Sequence, residues 1–279
     1  SSTAYHYKTL AIMERFAGVL GKTEDVARFW AAAQKTKNAF NKRFLDKQRM
    51  SYGSQTANAL ALRFGLVPEG RETEVGKALA SDVGDKDGGG FRAGIHGSRP
   101  LYAVLCDQGF DDVAYGALMK SGLLSHSPAP PDRSLTWMET FVGHAEGGRA
   151  PYYSLNNPEQ SGLAAWFHES IAGIRPLDDV PGFKCIQLKP HGFLQIASAE
   201  GWHESMYGQI WSGWKNDKGR FEWTVSIPPN TTAVVHVPAR SPEQVEENDV
   251  PARNSPGVKF VRYEGGRAVY EIESGSYVF

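Results

Sequence analysis

Apolar residues in the first half of the chain recur at helical spacing. Leu10, Met13, Phe16, Ala17 and Leu20 fall on one face of a helix that Gly21 stops. Thr23 can cap the next helix, whose stripe is Val26, Phe29, Trp30, Ala33, Phe40 and Phe44. The stretch from Gln55 to Phe64 closes at Gly65, and a shorter helix is expected from about Arg71 to Ser81. Ser98 and Pro100 open a helix that runs to Gly109, and Asp111 or Asp112 opens one ending near Gly122. After Pro158, a last helix places Leu163, Trp166, Phe167, Ile171 and Ile174 on one side. Helices of this length, joined by turns and glycine-rich loops, pack as antiparallel hairpins.

The period changes after Arg175. The stretch from Arg175 to Gly182 carries two prolines and reads as a linker. Beyond it, short β-branched and aromatic runs alternate with turns: Phe183–Leu188, Leu194–Ala199, Tyr207–Trp214, Phe221–Ile227, Ala233–Val237, Val258–Tyr263, Arg267–Ile272 and Tyr277–Phe279. Polar, proline-bearing Ser241–Pro256 reads as a mobile loop. The expected fold is α then β: helical hairpins over residues 1–175, then an antiparallel β-sandwich over 176–279.

Composition changes little. Thirty basic against 31 acidic residues give a formal charge of −1, so no bulk field favours nucleic acid or an anionic membrane, and a neutral polar ligand suits the balance. No apolar run approaches the length of a membrane span. Cys106 and Cys185 both sit in apolar runs and read as small buried hydrophobes. The chain starts with Ser1, already inside a helical pattern, and is expected to be cut from something longer. The compartment (cytoplasmic, periplasmic or secreted) is therefore left open.

The eight histidines form no metal-ligand spacing, and there is no nucleophile elbow, phosphate loop or dinucleotide fingerprint, so neither cofactor nor metal is expected. Gly88-Gly89-Gly90 reads as a plain loop and the neighbouring His96 as a packed or solvated imidazole. Glu139 stands out. It lies in Leu135-Thr136-Trp137-Met138-Glu139-Thr140-Phe141, and a carboxylate among apolar side chains is either hydrogen-bonded or at work. Thr136 and Glu139 also match a capping box, in which the carboxylate only satisfies a helix start. Trp137, Phe141, Tyr152 and Tyr153 offer ring faces for sugar C–H groups, though aromatics in a helical domain are mostly core.

Several segments, in order, resemble the inverting glycoside hydrolase family of bacterial α-L-rhamnosidases. They are Gln55-Thr56-Ala57-Asn58-Ala59-Leu60-Ala61-Leu62 with Phe64–Pro68; Gly94-Ile95-His96-Gly97-Ser98 leading to Gly109–Tyr115; Thr136–Phe141; Ser154–Pro158; Ala165–Phe167 to Ala172–Ile174; Pro228–Ala233; and Gly275-Ser276-Tyr277. No single motif decides; their shared order does. The resemblance implies a partial (α/α)6 barrel followed by the family's C-terminal sandwich. It also implies hydrolysis of terminal α-L-rhamnose with inversion, in which two carboxyl groups about 6.5–9.5 Å apart leave room for a water. Glu139 matches the family's general base, and Asn157 the position of a residue that contacts the sugar; Trp137 is a substrate-binding candidate from its aromatic face.

The chain departs from the family in several places. The general acid of an Asp-Glu-Arg type motif has no counterpart, so the 279 residues alone are expected to be nearly inactive. Leu124–Pro131 replaces an aromatic stretch, Asn157 stands where the family has histidine, and Met138 and Thr140 differ from the usual neighbours of the base. Another (α/α)6 carbohydrate enzyme, or a non-catalytic carbohydrate-binding protein, are the alternatives. The partner expected is a rhamnose-containing glycoside or polysaccharide, with self-association possible through uncovered apolar helix faces.

Overall fold

The structure is a computed structural model describing residues 1–84, 90–120, 162–177, 179–191, 196–217 and 219–279. The chain divides into two compact units, Ser1–Leu163 and Ala164–Phe279. Among the described residues, no helix is long and apolar enough to cross a membrane.

The first unit is helical: α1 Ser2–Val19, α2 Thr23–Phe44, α3 Gln55–Phe64, α4 Glu72–Gly84, α5 Ile95–Asp107 and α6 Asp111–Lys120. In α3, local chemistry and pattern agree. Extended Ser54 accepts the Ala57 N–H at 3.2 Å, and Gly65 takes a left-handed φ of 72° at the other end. α5 starts at Ile95, before the expected Ser98, and holds Pro100 inside it. Proline costs a helix interior about 3 kcal/mol. Every residue from Leu101 to Cys106 is buried, and each large apolar side chain among them returns about 1.5–3 kcal/mol. Burial wins.

A core of Ala4, Phe40, Met50, Tyr52, Leu60, Leu66 and Val75 joins α1–α4. The predicted α1 and α2 stripes are covered only in part. Ala17, Ala33 and Phe40 are buried, whereas Phe16, Leu20 and Trp30 are 58%, 70% and 54% exposed. Periodicity gives a face; it does not say what lies against it.

The helix expected to reach Ile174 ends sooner. Segment α7, Gly162–Trp166, passes into one π-helical turn, Phe167–Ile171. Gly173 at φ 79° then turns the chain into strand β1, Ile174–Pro176. The expected linker is therefore part of a sheet: β1 pairs antiparallel with β2, Cys185–Leu188, and Leu177 bridges Val180 across the turn between them. Cys185 is only half-buried, unlike Cys106.

The strands that follow are β3 Ser198–Ser205, β4 Gly208–Asp217, β5 Arg220–Ile227, β6 Thr232–Pro238, β7 Glu246–Glu247, β8 Val250–Pro251, β9 Val258–Glu264, β10 Arg267–Ile272 and β11 Gly275–Val278. One sheet has the order β1-β2-β6-β10-β9, the other β11-β5-β4-β3. Pairing in both is antiparallel except between β2 and β6. Trp214, Trp223 and Val225 of one sheet and Val235 and Tyr270 of the other are fully buried, and the Tyr270 ring stacks on Phe279 at 6.1 Å. Indole N–H groups at this depth need partners. Trp214 donates to the Ile171 carbonyl at 2.8 Å, Trp223 to Ser212 Oγ at 3.0 Å, and Ser212 to the Ala172 carbonyl at 2.7 Å.

Ser241–Pro256 is built rather than loose. Two 3₁₀ turns, Pro242–Gln244 and Ala252–Asn254, flank a hairpin of β7 and β8, and Val245, Glu247, Ala252 and Ser255 are buried. Its short strands and prolines hid it from period counting. Two consecutive left-handed residues, Asn248 and Asp249, make the tip.

Burial pushes the His236 imidazole down to about 4, helped by the positive charges of Lys189 and Arg267. The unfolded chain then binds this proton more readily than the folded one below about pH 6.5. The associated stability is complete above that value and falls away as pH drops toward 4, by about 3 kcal/mol at most. Denaturant midpoints of the wild type and of His236→Gln at pH 7, 5.5 and 4 read this directly. Parallel pH dependence in the two would remove His236 as the cause.

Candidate functional site

Two contacts define one end of the helical unit, and a third marks the other. A Cβ placed on Gly97 would lie 2.5 Å from Thr56 Oγ1 and 2.9 Å from Thr56 Cα, so the first turns of α3 and α5 touch almost backbone to backbone. These helices pack along their lengths with their N-termini together. Helix α4 runs the other way, with Gly76 against Gln108 beyond the C-terminus of α5. Gly162 packs on Arg99, where a Cβ would meet Arg99 Cβ at 2.7 Å, so the chain re-enters beside the same first turn of α5. Helix α6 follows α5 through the tight turn Gln108–Phe110, in which Gly109 has φ 81°, and as the return arm of that hairpin heads back to the same end. Gly162 therefore rejoins the helical unit at the end where the α3 and α5 N-termini gather.

Glu139, Trp137 and Asn157 lie in that stretch, outside the described residues, as do Phe141, Tyr152, Tyr153 and the segment 124–131; Gly88 and Gly89 lie outside them too. His96 is described. It sits exposed on the first turn of α5, its ring 5.8 Å from that of Tyr5, as a surface imidazole would.

Sequence reading missed Gln55. It is 3% exposed, and its amide donates to the Gly90 carbonyl at 3.1 Å and the Asp82 carbonyl at 3.5 Å while Oε1 accepts the Arg92 N–H at 2.7 Å. One side chain thus ties the C-terminal turn of α4 to the approach to α5. A glutamine one residue after a serine cap gives no advance sign of this. The Arg92–Asp82 ion pair at 2.6 Å spans the same gap, but both partners are well exposed and it adds little. Deeper in the unit, Asn58 Oδ1 accepts the Tyr52 N–H at 2.7 Å and the Tyr52 hydroxyl donates to Asn41 Oδ1 at 2.5 Å. Burial pushes this phenol up to about 12, which keeps it a donor. Within either unit taken alone, no three described ligand-type side chains converge on a common metal position.

Parallel helices with gathered N-termini and antiparallel partners between them define a helical-hairpin scaffold, and a β-rich unit follows it in the chain. Residues 1–171 match the family described as the bacterial alpha-L-rhamnosidase 6 hairpin glycosidase domain, and residues 173–250 the bacterial alpha-L-rhamnosidase C-terminal domain. The chain belongs to the bacterial α-L-rhamnosidase family. It is 35% identical over 248 residues to an alpha-L-rhamnosidase of Formosa agariphila, a match covering 84% of this chain and 25% of that protein. The crystal structure of Streptomyces avermitilis alpha-L-rhamnosidase complexed with L-rhamnose superimposes with a TM-score of 0.82 at 29% identity, over 99% of this chain and 26% of that one. The alpha-L-rhamnosidase of Dictyoglomus thermophilum gives 0.79 at 28% identity, over 99% of this chain and 31% of that one. The chain thus spans about a quarter to a third of the length of the relatives it matches.

Proposed function

We propose that this chain forms part of a glycoside hydrolase that releases terminal α-L-rhamnose with inversion, and that Glu139 is its general base. The observation carrying this reading is that the family match over residues 1–171 takes in the Thr136–Phe141 motif. The L-rhamnose in the Streptomyces relative's crystal supports the same sugar class here. Trp137 is assigned to the sugar's apolar face and Asn157 to its hydroxyls, which an amide can serve as donor and acceptor. The proton donor is assigned to sequence other than these 279 residues, which hold no Asp-Glu-Arg type motif.

The test uses p-nitrophenyl α-L-rhamnoside. In an active protein containing this chain, proton NMR should detect β-L-rhamnose before mutarotation, whereas the 279 residues alone should show almost no turnover. The α-anomer appearing first would exclude inversion. Full activity from the short chain would place both carboxyl groups within it.

A further inference from the structure

The second unit contains a cleft of about 1220 Å³ that the rhamnosidase reading does not use. Every residue lining it belongs to that unit. Three hairpin tips converge on it: the turn joining β4 and β5, the β7–β8 tip with Asn248 and Asp249, and the β9–β10 tip with Tyr263 and Gly266. Its floor is apolar and fixed. Val237, Val245 and Phe279 are buried there, Phe279 exchanges two backbone hydrogen bonds with Trp223, and the Asn248 N–H donates to the Val278 carbonyl at 3.0 Å.

The walls are chemically mixed. Arg220 and Arg240 stand beside Glu222, Glu246 and Asp249, all five exposed, and none of their side chains has a hydrogen bond or ion pair among the described residues. Tyr263 adds an aromatic ring that is 41% exposed yet immobilised, because its hydroxyl is held by the Ala239 and Arg240 carbonyls at 3.0 and 2.9 Å. A ring held in place loses little entropy when a ligand covers it.

These features select a ligand class. Two guanidinium groups against three carboxylates leave no excess of positive charge to attract an acidic ligand. Sugar hydroxyls both donate and accept, so interspersed carboxylates and guanidinium groups can each be satisfied without a net charge on the ligand. Ordinary small-molecule pockets hold about 300–1,000 Å³, so a cavity of this size suits several linked rings better than one. We propose that the cleft binds an uncharged oligosaccharide chain, as a second carbohydrate site independent of Glu139.

Isothermal titration of the 279-residue chain with cellohexaose, mannohexaose, an α-linked rhamno-oligosaccharide and hexagalacturonate tests this. At least one neutral oligosaccharide should bind at one site. The double variant Arg240→Ala/Asp249→Ala should weaken it about tenfold or more at unchanged melting temperature. Tyr263→Phe, which keeps the ring and frees it, should weaken it less. The proposal is overturned if no neutral oligosaccharide binds, if hexagalacturonate binds more tightly, or if affinity survives the double variant. None of these outcomes bears on whether Glu139 is a base, which rests on turnover.

Discussion

In an active protein containing this chain, Glu139→Gln is expected to lower kcat by about 10²–10⁴, the range a positioned general base contributes. Glutamine keeps the shape and can still hold a water, but it cannot take the water's proton, so the loss should fall on kcat with KM for the aryl rhamnoside nearly unchanged. A capping role for Glu139 predicts the opposite pattern. The Gln side chain can replace a capping-box glutamate, so kcat would hold. Measuring kcat, KM and melting temperature together separates the two. An unchanged kcat would take Glu139 out of the mechanism, and a collapsed melting temperature would assign it to the fold.

The second large effect is structural. Gly173→Ala should destabilise the second unit by about 4 kcal/mol or more, in the range reserved for severe packing faults. The left-handed φ of 79° alone costs a non-glycine residue about 1–2 kcal/mol. A methyl group there would also sit 2.6 Å from Lys189 C and 2.8 Å from Pro190 Cα, and backbone atoms cannot swing aside as a side chain can. Gly182 separates the two terms, because it too has positive φ, 85°, but open space around it. Gly182→Ala should cost only the conformational part. Urea unfolding followed by tryptophan fluorescence, which reports Trp214 and Trp223, gives both values. Equal losses in the two variants would show that the contact with Lys189 and Pro190 is unimportant.

The legible parts of the fold were those where one local rule sufficed. α3 carries its cap, its apolar run and its terminal glycine within a dozen residues, and the long strands β4, β5 and β10 carry alternation. Elements that depend on distant partners were not legible. The π-helical turn after Trp166 exists because Ile171 and Ala172 present carbonyls to Trp214 and Ser212, some 40 residues on. The β7–β8 hairpin is held by Val278 and by a backbone bond from Ala252 to Val245, none of which shows in its own polar sequence. The early start of α5 was hidden by Pro100, which reads as a first-turn residue opening a helix but lies inside this one. For the candidate site, the motif around Glu139 was readable as a string of residues. Its surroundings were not, since the contacts of Thr56 with Gly97 and of Gly162 with Arg99 join positions about 40 and 60 residues apart.

The buried amide of Gln55 has a consequence for altering this protein. Because it holds Asp82 on one side and Gly90 and Arg92 on the other, the chain ends flanking residues 85–89 are fixed whatever lies between them. Closing a somewhat longer insert between fixed anchors adds only about 0.6 kcal/mol for each doubling of its length. That short stretch is therefore a natural place to graft foreign sequence, and a transplanted segment there would be presented beside the start of α3.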